Sequence, residues 1–107
     1  MATITRGTRD ALVEKLAGAL EEYERQHPGA VATLYRQNSA SVRVRIIDGR
    51  FSRMSKPERH DLVWRFIVER MDDDAVQEVS VLLLLSPEEQ RTSFMNNEFD
   101  DPVPSTL

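Results

Sequence analysis

An unbroken run of five apolar residues, Val81–Leu85, constrains the fold of this chain most strongly. A strand with one face in solvent alternates apolar and polar residues, whereas an unbroken apolar run is typical of a strand buried on both faces. Five residues are too few to cross a bilayer, which takes about 20 residues in a helix. The run therefore predicts an interior strand of a sheet, within a longer strand over residues 76–85.

Three further segments carry the periodicity of regular structure. Residues 8–27 show an amphipathic helical pattern that ends before Pro28. Residues 30–36 are rich in β-forming residues, and along residues 41–47 apolar and polar residues alternate. Both patterns predict strands. The polar residues Gln37–Ala40 between them favour a hairpin.

Two serine–proline segments have the pattern of a helix capping box. Ser55–Glu58 predicts the start of a helix over residues 56–71, and Ser86–Glu89 predicts a short helix to about residue 94. The element order favours an α+β fold with a three-stranded mixed sheet and helices on one face. We expect one domain over residues 1–95 and an acidic, disordered tail over residues 96–107.

Residue composition excludes several kinds of site. The 107 residues include no cysteine and two histidines, which excludes disulfides, thiolate metal sites and cysteine-held iron–sulfur clusters. No nucleophile, phosphate-loop or metal-binding motif is present, so we expect no enzymatic activity, no cofactor and no metal. The first residues lack an apolar signal core, and we expect a cytoplasmic protein without membrane contact.

Charge is distributed unevenly along the chain. Residues 36–59 carry seven basic and two acidic side chains, whereas residues 60–107 carry three basic and eleven acidic ones. Alternation along the second strand places Arg43 and Arg45 on the same face. We expect a cationic surface that binds DNA or an acidic protein, although a solvated arginine-rich edge has the same pattern. Its candidate residues are Arg43, Arg45, Arg50, Arg53, Lys56 and Arg59.

Residues 51–64 resemble the signature of the BolA family. Phe51 is followed by Arg59-His60 and by Leu62-Val63-Trp64, a pattern that in BolA proteins leads from a short loop into a helix. A strand ending in Ile46-Ile47-Asp48 precedes this segment, and one ending in Leu85-Ser86-Pro87 follows it. The resemblance covers roughly residues 8–90.

This resemblance implies the αββααβ fold of BolA proteins, which is akin to the type II KH domain. It implies a regulatory or adaptor role in transcription-related DNA binding, or alternatively a partnership with a monothiol glutaredoxin around a shared two-iron two-sulfur cluster. Gln77 stands where the family has a cluster-ligating histidine, and Gln37–Ala40 provides no second ligand. The glutaredoxin partnership is therefore the less favoured alternative. The loop Arg50–Met54 also lacks the Gly-x-x-Gly sequence with which KH domains hold single strands.

Two further features leave alternatives open. His60 is either a metal ligand or general base, or a half-buried histidine that packs near the helix start, and the second interpretation is favoured. A third functional hypothesis is self-association through an edge strand or the surface around Trp64, so the chain is expected to be a monomer or a weak dimer.

Overall fold

The computed structural model describes residues 1–102, which form an α+β fold around a four-stranded mixed sheet. The strands are β1 (Thr3–Ile4), β2 (Val31–Asn38), β3 (Ser41–Ile47) and β4 (Val79–Leu85), in that order across the sheet. β1 is parallel to β2, β2 is antiparallel to β3, and β3 is parallel to β4. The sequence predicted three strands, because the two residues of β1 are too few to show a pattern.

Helices connect the strands and follow the last one. Both predicted capping boxes are present, at Ser55 and Ser86, where each serine accepts from the third helical amide and a glutamate accepts from the serine amide. No helix within residues 1–102 is long and apolar enough to span a membrane. The helices are α1 (Ala11–Gln26), α2 (Lys56–Val68), α3 (Asp73–Val76), α4 (Pro87–Thr92) and α5 (Phe94–Asp100), with a 3-10 helix at Gly49–Arg53.

The main core lies between the sheet and helices α1 and α2. Leu16 and Leu20 of α1 and Val63 and Ile67 of α2 are fully buried against the apolar side chains of the strands. Their spacing of four residues aligns them along one face of each helix. This layer holds β3, which carries two of the candidate cations, in the middle of the sheet.

Helix α5 covers the opposite face of the sheet, so the prediction of helices on one face is wrong. Phe99 is 2% exposed, and its ring centroid lies 4.9 Å from that of Tyr35. The Tyr35 hydroxyl donates to the Phe99 carbonyl at 2.9 Å. Residues 96–100 are therefore helical rather than part of a disordered tail, because an aromatic anchor outweighs the acidic composition of the segment. Residues 103–107 of the predicted tail lie outside the described residues.

Strand β4 is an edge strand, contrary to the interior position that its apolar run predicted. Leu82 and Leu84 face the core with α1 and α2, while Val81 and Leu83 pair with Arg43 and Arg45 on the face that α5 covers. From Val81 to Leu85 the side chains on both faces are partly or fully buried, which explains the unbroken apolar run, although one side of the strand has no neighbour. The strand is also shorter than predicted, because residues 73–76 form α3.

Candidate functional site: a cationic loop

Arg43 and Arg45 on β3 are bound by the acidic residues of α5. The Arg43 Nη1 atom lies 2.8 Å from Glu98 Oε2, and Arg45 Nη1 lies 2.7 Å from Asp100 Oδ1 and 2.8 Å from the side-chain oxygen of Asn96. Their side chains are 12% and 11% exposed. The two guanidinium groups share one face, as the alternation predicted, but they hold α5 to the sheet instead of facing a partner.

Arg59 is buried and joins three elements. Its Nη1 donates to Glu89 Oε1 at 2.6 Å and to the Leu84 carbonyl at 3.1 Å. Its Nη2 donates to the Phe51 carbonyl at 2.5 Å, and its Nε donates to the Met54 carbonyl at 3.2 Å. With 5% of its surface exposed, Arg59 connects α2 to β4, to α4 and to the 3-10 helix. Arg59 therefore has a structural role, and it is not an exposed cation as the sequence predicted.

The other three predicted cations, Arg50, Arg53 and Lys56, are exposed. Among residues 1–102, no carboxylate lies within 4.0 Å of their charged nitrogens. We call these three residues the cationic loop. The six predicted residues are thus not one surface: three are bound internally, and three are exposed where the 3-10 helix leads into α2.

Buried contacts hold the backbone of this loop in place. Asp48 accepts from the Arg50 amide at 3.0 Å and from the Tyr23 hydroxyl at 2.9 Å, and Phe51 is fully buried. Burial, together with the hydrogen bond to Asp48, raises the pKa of the Tyr23 hydroxyl. Because the backbone is fixed at both ends by Asp48 and Arg59, binding an anion here costs little backbone ordering.

The pH dependence of stability tests the contact between Arg59 and α4. The Ser86 amide, followed by Arg59, holds the pKa of Glu89 at about 2, below its ordinary value of 4.5. A lowered carboxyl pKa contributes stability above pH 4.5 that is lost as the pH falls toward 2. We expect Glu89→Gln to flatten the decline of the unfolding free energy over this range in urea titrations. Glu58→Gln, which alters a capping box without a buried arginine, should flatten it less. Equal effects of the two variants would contradict the coupling.

The residues available for a metal or an iron–sulfur cluster do not fit one. His60 is exposed rather than half-buried, and its ring stacks on Trp64 at 5.8 Å between centroids. Gln77 is exposed at the end of α3, and the loop of Gln37–Ala40 offers amides and a hydroxyl. No group of three potential metal ligands occurs within residues 1–102. Neither thiolate nor imidazole is presented at the positions that the BolA resemblance indicated for a cluster.

Sequence reasoning missed a groove along the free side of β4, which we call the edge groove. It has a volume of about 390 Å³ and combines the end of β4 with side chains from α2 on one side and from the α4–α5 junction on the other. No pattern in the sequence predicted it, because it depends on β4 being an edge strand. Its lining residues are Lys56, Pro57, Arg59, His60, Leu82–Leu85, Ser93 and Met95.

Comparison with known proteins found no matching family model, no matching curated protein and no matching solved structure. What this chain does must therefore be argued from its own residues and geometry.

Proposed function

We propose that this chain is a non-enzymatic, BolA-like adaptor domain that binds an acidic segment of a protein partner through the cationic loop. One observation carries the proposal: Arg50, Arg53 and Lys56 are exposed together and lack carboxylate partners among residues 1–102. The other three predicted cations are each paired with an acidic residue of α4 or α5. Arginines in this region therefore already pair with carboxylates of the same chain.

The order of the three long strands supports the BolA-like part of the proposal. β2 and β3 form an antiparallel hairpin, and β3 pairs in parallel with β4 after a crossover through α2. A 3-10 helix at Gly49–Arg53 leads into α2, in the place of the short loop that precedes the helix in the BolA pattern. The buried positions of Phe51 and Arg59 give these two signature residues a role in fixing the loop.

The small number of free cations favours an acidic protein over nucleic acid. Binding to DNA weakens with salt in proportion to the number of neutralised phosphates, and strong binders make roughly six to ten such contacts. Three cations fall short of that number, and the chain carries a net charge of −4 that repels a long polyanion. A short run of carboxylates matches the loop in both size and charge.

The proposal is tested by reversing the charge of the loop. A fluorescein-labelled hexaglutamate peptide should bind at low salt, and Arg50→Glu/Arg53→Glu should weaken its binding about tenfold or more. Exposed ion pairs contribute about 0.2–1 kcal/mol each, and reversal adds repulsion of similar size. Fluorescence anisotropy at two salt concentrations provides the measurement.

The matched control is Arg65→Glu/Arg91→Glu, which makes the same two substitutions at exposed arginines outside the loop. This control should weaken hexaglutamate binding less than threefold. Equal losses in both double variants would show that net charge alone acts. Tighter binding of a single-stranded DNA of equal charge than of hexaglutamate would overturn the acidic-protein proposal in favour of nucleic acid.

A further inference from the structure

The backbone of β4 presents hydrogen-bonding groups to the edge groove. The Leu85 carbonyl accepts from the Asp48 amide at 3.0 Å, so the polar groups of Leu85 point toward β3. Because these groups alternate in direction along a strand, those of Leu84 and Leu82 point away from β3. Arg59 already donates to the Leu84 carbonyl at 3.1 Å. The amide and carbonyl of Leu82 therefore face the groove and can pair with another strand.

Natural sheets usually protect such an edge, and on β4 the Arg59 guanidinium group protects only one end, at the Leu84 carbonyl. Charged residues, prolines and bulges are the common means. From Val79 to Leu85 the strand has no charge and no proline, and its one irregularity falls at Ser80, before the apolar run. Met95 is 46% exposed at one wall of the groove, and His60 is exposed at the other. The edge thus combines free backbone groups with apolar walls, which is the arrangement used in strand addition.

The shape of the groove favours an extended peptide over a second copy of the chain. The free side of β4 lies between walls formed by α2 and by the α4–α5 junction. A second copy would present the same recessed edge, and two recessed edges cannot approach to the strand spacing of about 4.8 Å without their walls meeting. A single extended chain fits between the walls.

The distribution of charge around the groove indicates which end of a bound peptide should be acidic. Lys56 lines the groove about one helical turn before Arg59, which donates to the Leu84 carbonyl, and the rest of the cationic loop precedes Lys56 in the chain. The exposed acidic residues Asp73 and Asp74 precede the opposite end of β4. At the Leu85 end, Glu89 is paired with Arg59, which leaves the exposed Glu58 and Glu88 against the three cations of the loop. Acidic residues of a ligand are therefore favoured at the Leu85 end and disfavoured at the Val79 end.

We propose that the edge groove binds an extended segment of a partner protein as a fifth strand. This segment has apolar residues at alternate positions and carboxylates at the end that meets Lys56 and the cationic loop. The acidic end rests on the proposed function, whereas the added strand rests on the Leu82 backbone and the groove. The proposal thus specifies the chemistry of the partner: an apolar strand flanked on one side by glutamates or aspartates.

A designed peptide tests both parts in the full chain. The probe is a labelled peptide of alternating valine and threonine residues with three glutamates at one end. It should bind at least tenfold more tightly than hexaglutamate, and it should slow hydrogen exchange of the Leu82 amide at least tenfold. Met95→Asp, in the wall of the groove, should weaken probe binding tenfold or more. Phe94→Asp adds the same charge one residue away, outside the groove lining, and should change binding less than twofold.

The outcomes separate the two proposals. If hexaglutamate binds through Arg50 and Arg53 but the probe binds no more tightly and Leu82 exchange is unchanged, the added strand is wrong and the proposed function stands. If the probe protects Leu82 while hexaglutamate binding does not respond to the loop variants, the added strand stands and the proposed function fails. A concentration-dependent dimer in sedimentation, with Leu82 protected in the absence of peptide, would replace the partner segment by a second copy.

Discussion

Replacing Arg59 with alanine is expected to lower the free energy of unfolding by about 3–4 kcal/mol, because a buried carbonyl that loses its only donor costs about 1–3 kcal/mol and the packing of the side chain is lost as well. The guanidinium group serves three backbone carbonyls, those of Phe51, Met54 and Leu84. The Phe51 carbonyl keeps the Met54 amide as a donor, so the loss falls mainly on the Met54 and Leu84 carbonyls. Glu89 adds less to the loss, because its side chain is 37% exposed and regains water. Urea denaturation at neutral pH measures the effect.

Two controls distinguish a structural arginine from a binding arginine at this position. Arg65→Ala, at an exposed site on the same helix, should change stability by less than about 0.5 kcal/mol. Arg59→Lys should also lose most of the stability, because an ammonium group lacks the planar fork that reaches several acceptors. A loss below about 1 kcal/mol for Arg59→Ala would mean that Arg59 is not the anchor of the loop.

Replacing Phe99 with alanine is expected to lower stability by about 3 kcal/mol, as is usual for removing a buried phenylalanine. Its ring packs on Tyr35 and lies below the Arg45 guanidinium group, 4.8 Å from the ring centroid. Loss of this anchor should free the helical turn that carries Glu98 and Asp100. We therefore expect faster hydrogen exchange across residues 94–100, together with the lower urea midpoint.

Phe94→Ala is the matched control for this variant, since Phe94 lies on the same helix and is 79% exposed. It should leave stability within about 0.5 kcal/mol and should leave exchange in α5 unchanged. If both phenylalanine variants behave alike, the contact of α5 with the sheet contributes little to stability, and Arg43 and Arg45 would then be accessible to a partner.

Local features of this fold could be predicted from the sequence. The capping boxes at Ser55 and Ser86 involve residues three apart, so their pattern is complete within one turn of chain. The hairpin between β2 and β3 is equally local, because polar turn residues separate two β-forming runs. Each of these features depends on neighbours in the chain and not on the final packing.

Which of the six predicted cations are bound internally and which are exposed could not be predicted in the same way. Arg43 and Arg50 are chemically identical, and only the acidic residues of α5 distinguish them. Glu98 lies 55 residues from Arg43 along the chain. Phe99 anchors the helix that carries Glu98, but the acidic residues around Phe99 led to the prediction of a disordered tail. The edge position of β4 could not be predicted for a related reason. An apolar run indicates that both faces of a strand are buried, but it does not indicate whether the strand has a hydrogen-bonded neighbour on each side.

The parallel pairing of β3 with β4 has a consequence for how the chain reaches its native state. The hairpin of β2 and β3 needs only a short turn, whereas β4 can pair with β3 only after the whole crossover from Asp48 to Glu78 has formed. Closing a long loop before gaining contacts makes such pairing the slow stage of folding. During that delay the leucines of β4 are exposed in the newly synthesised polypeptide, so we expect intermolecular misassembly to begin at this strand.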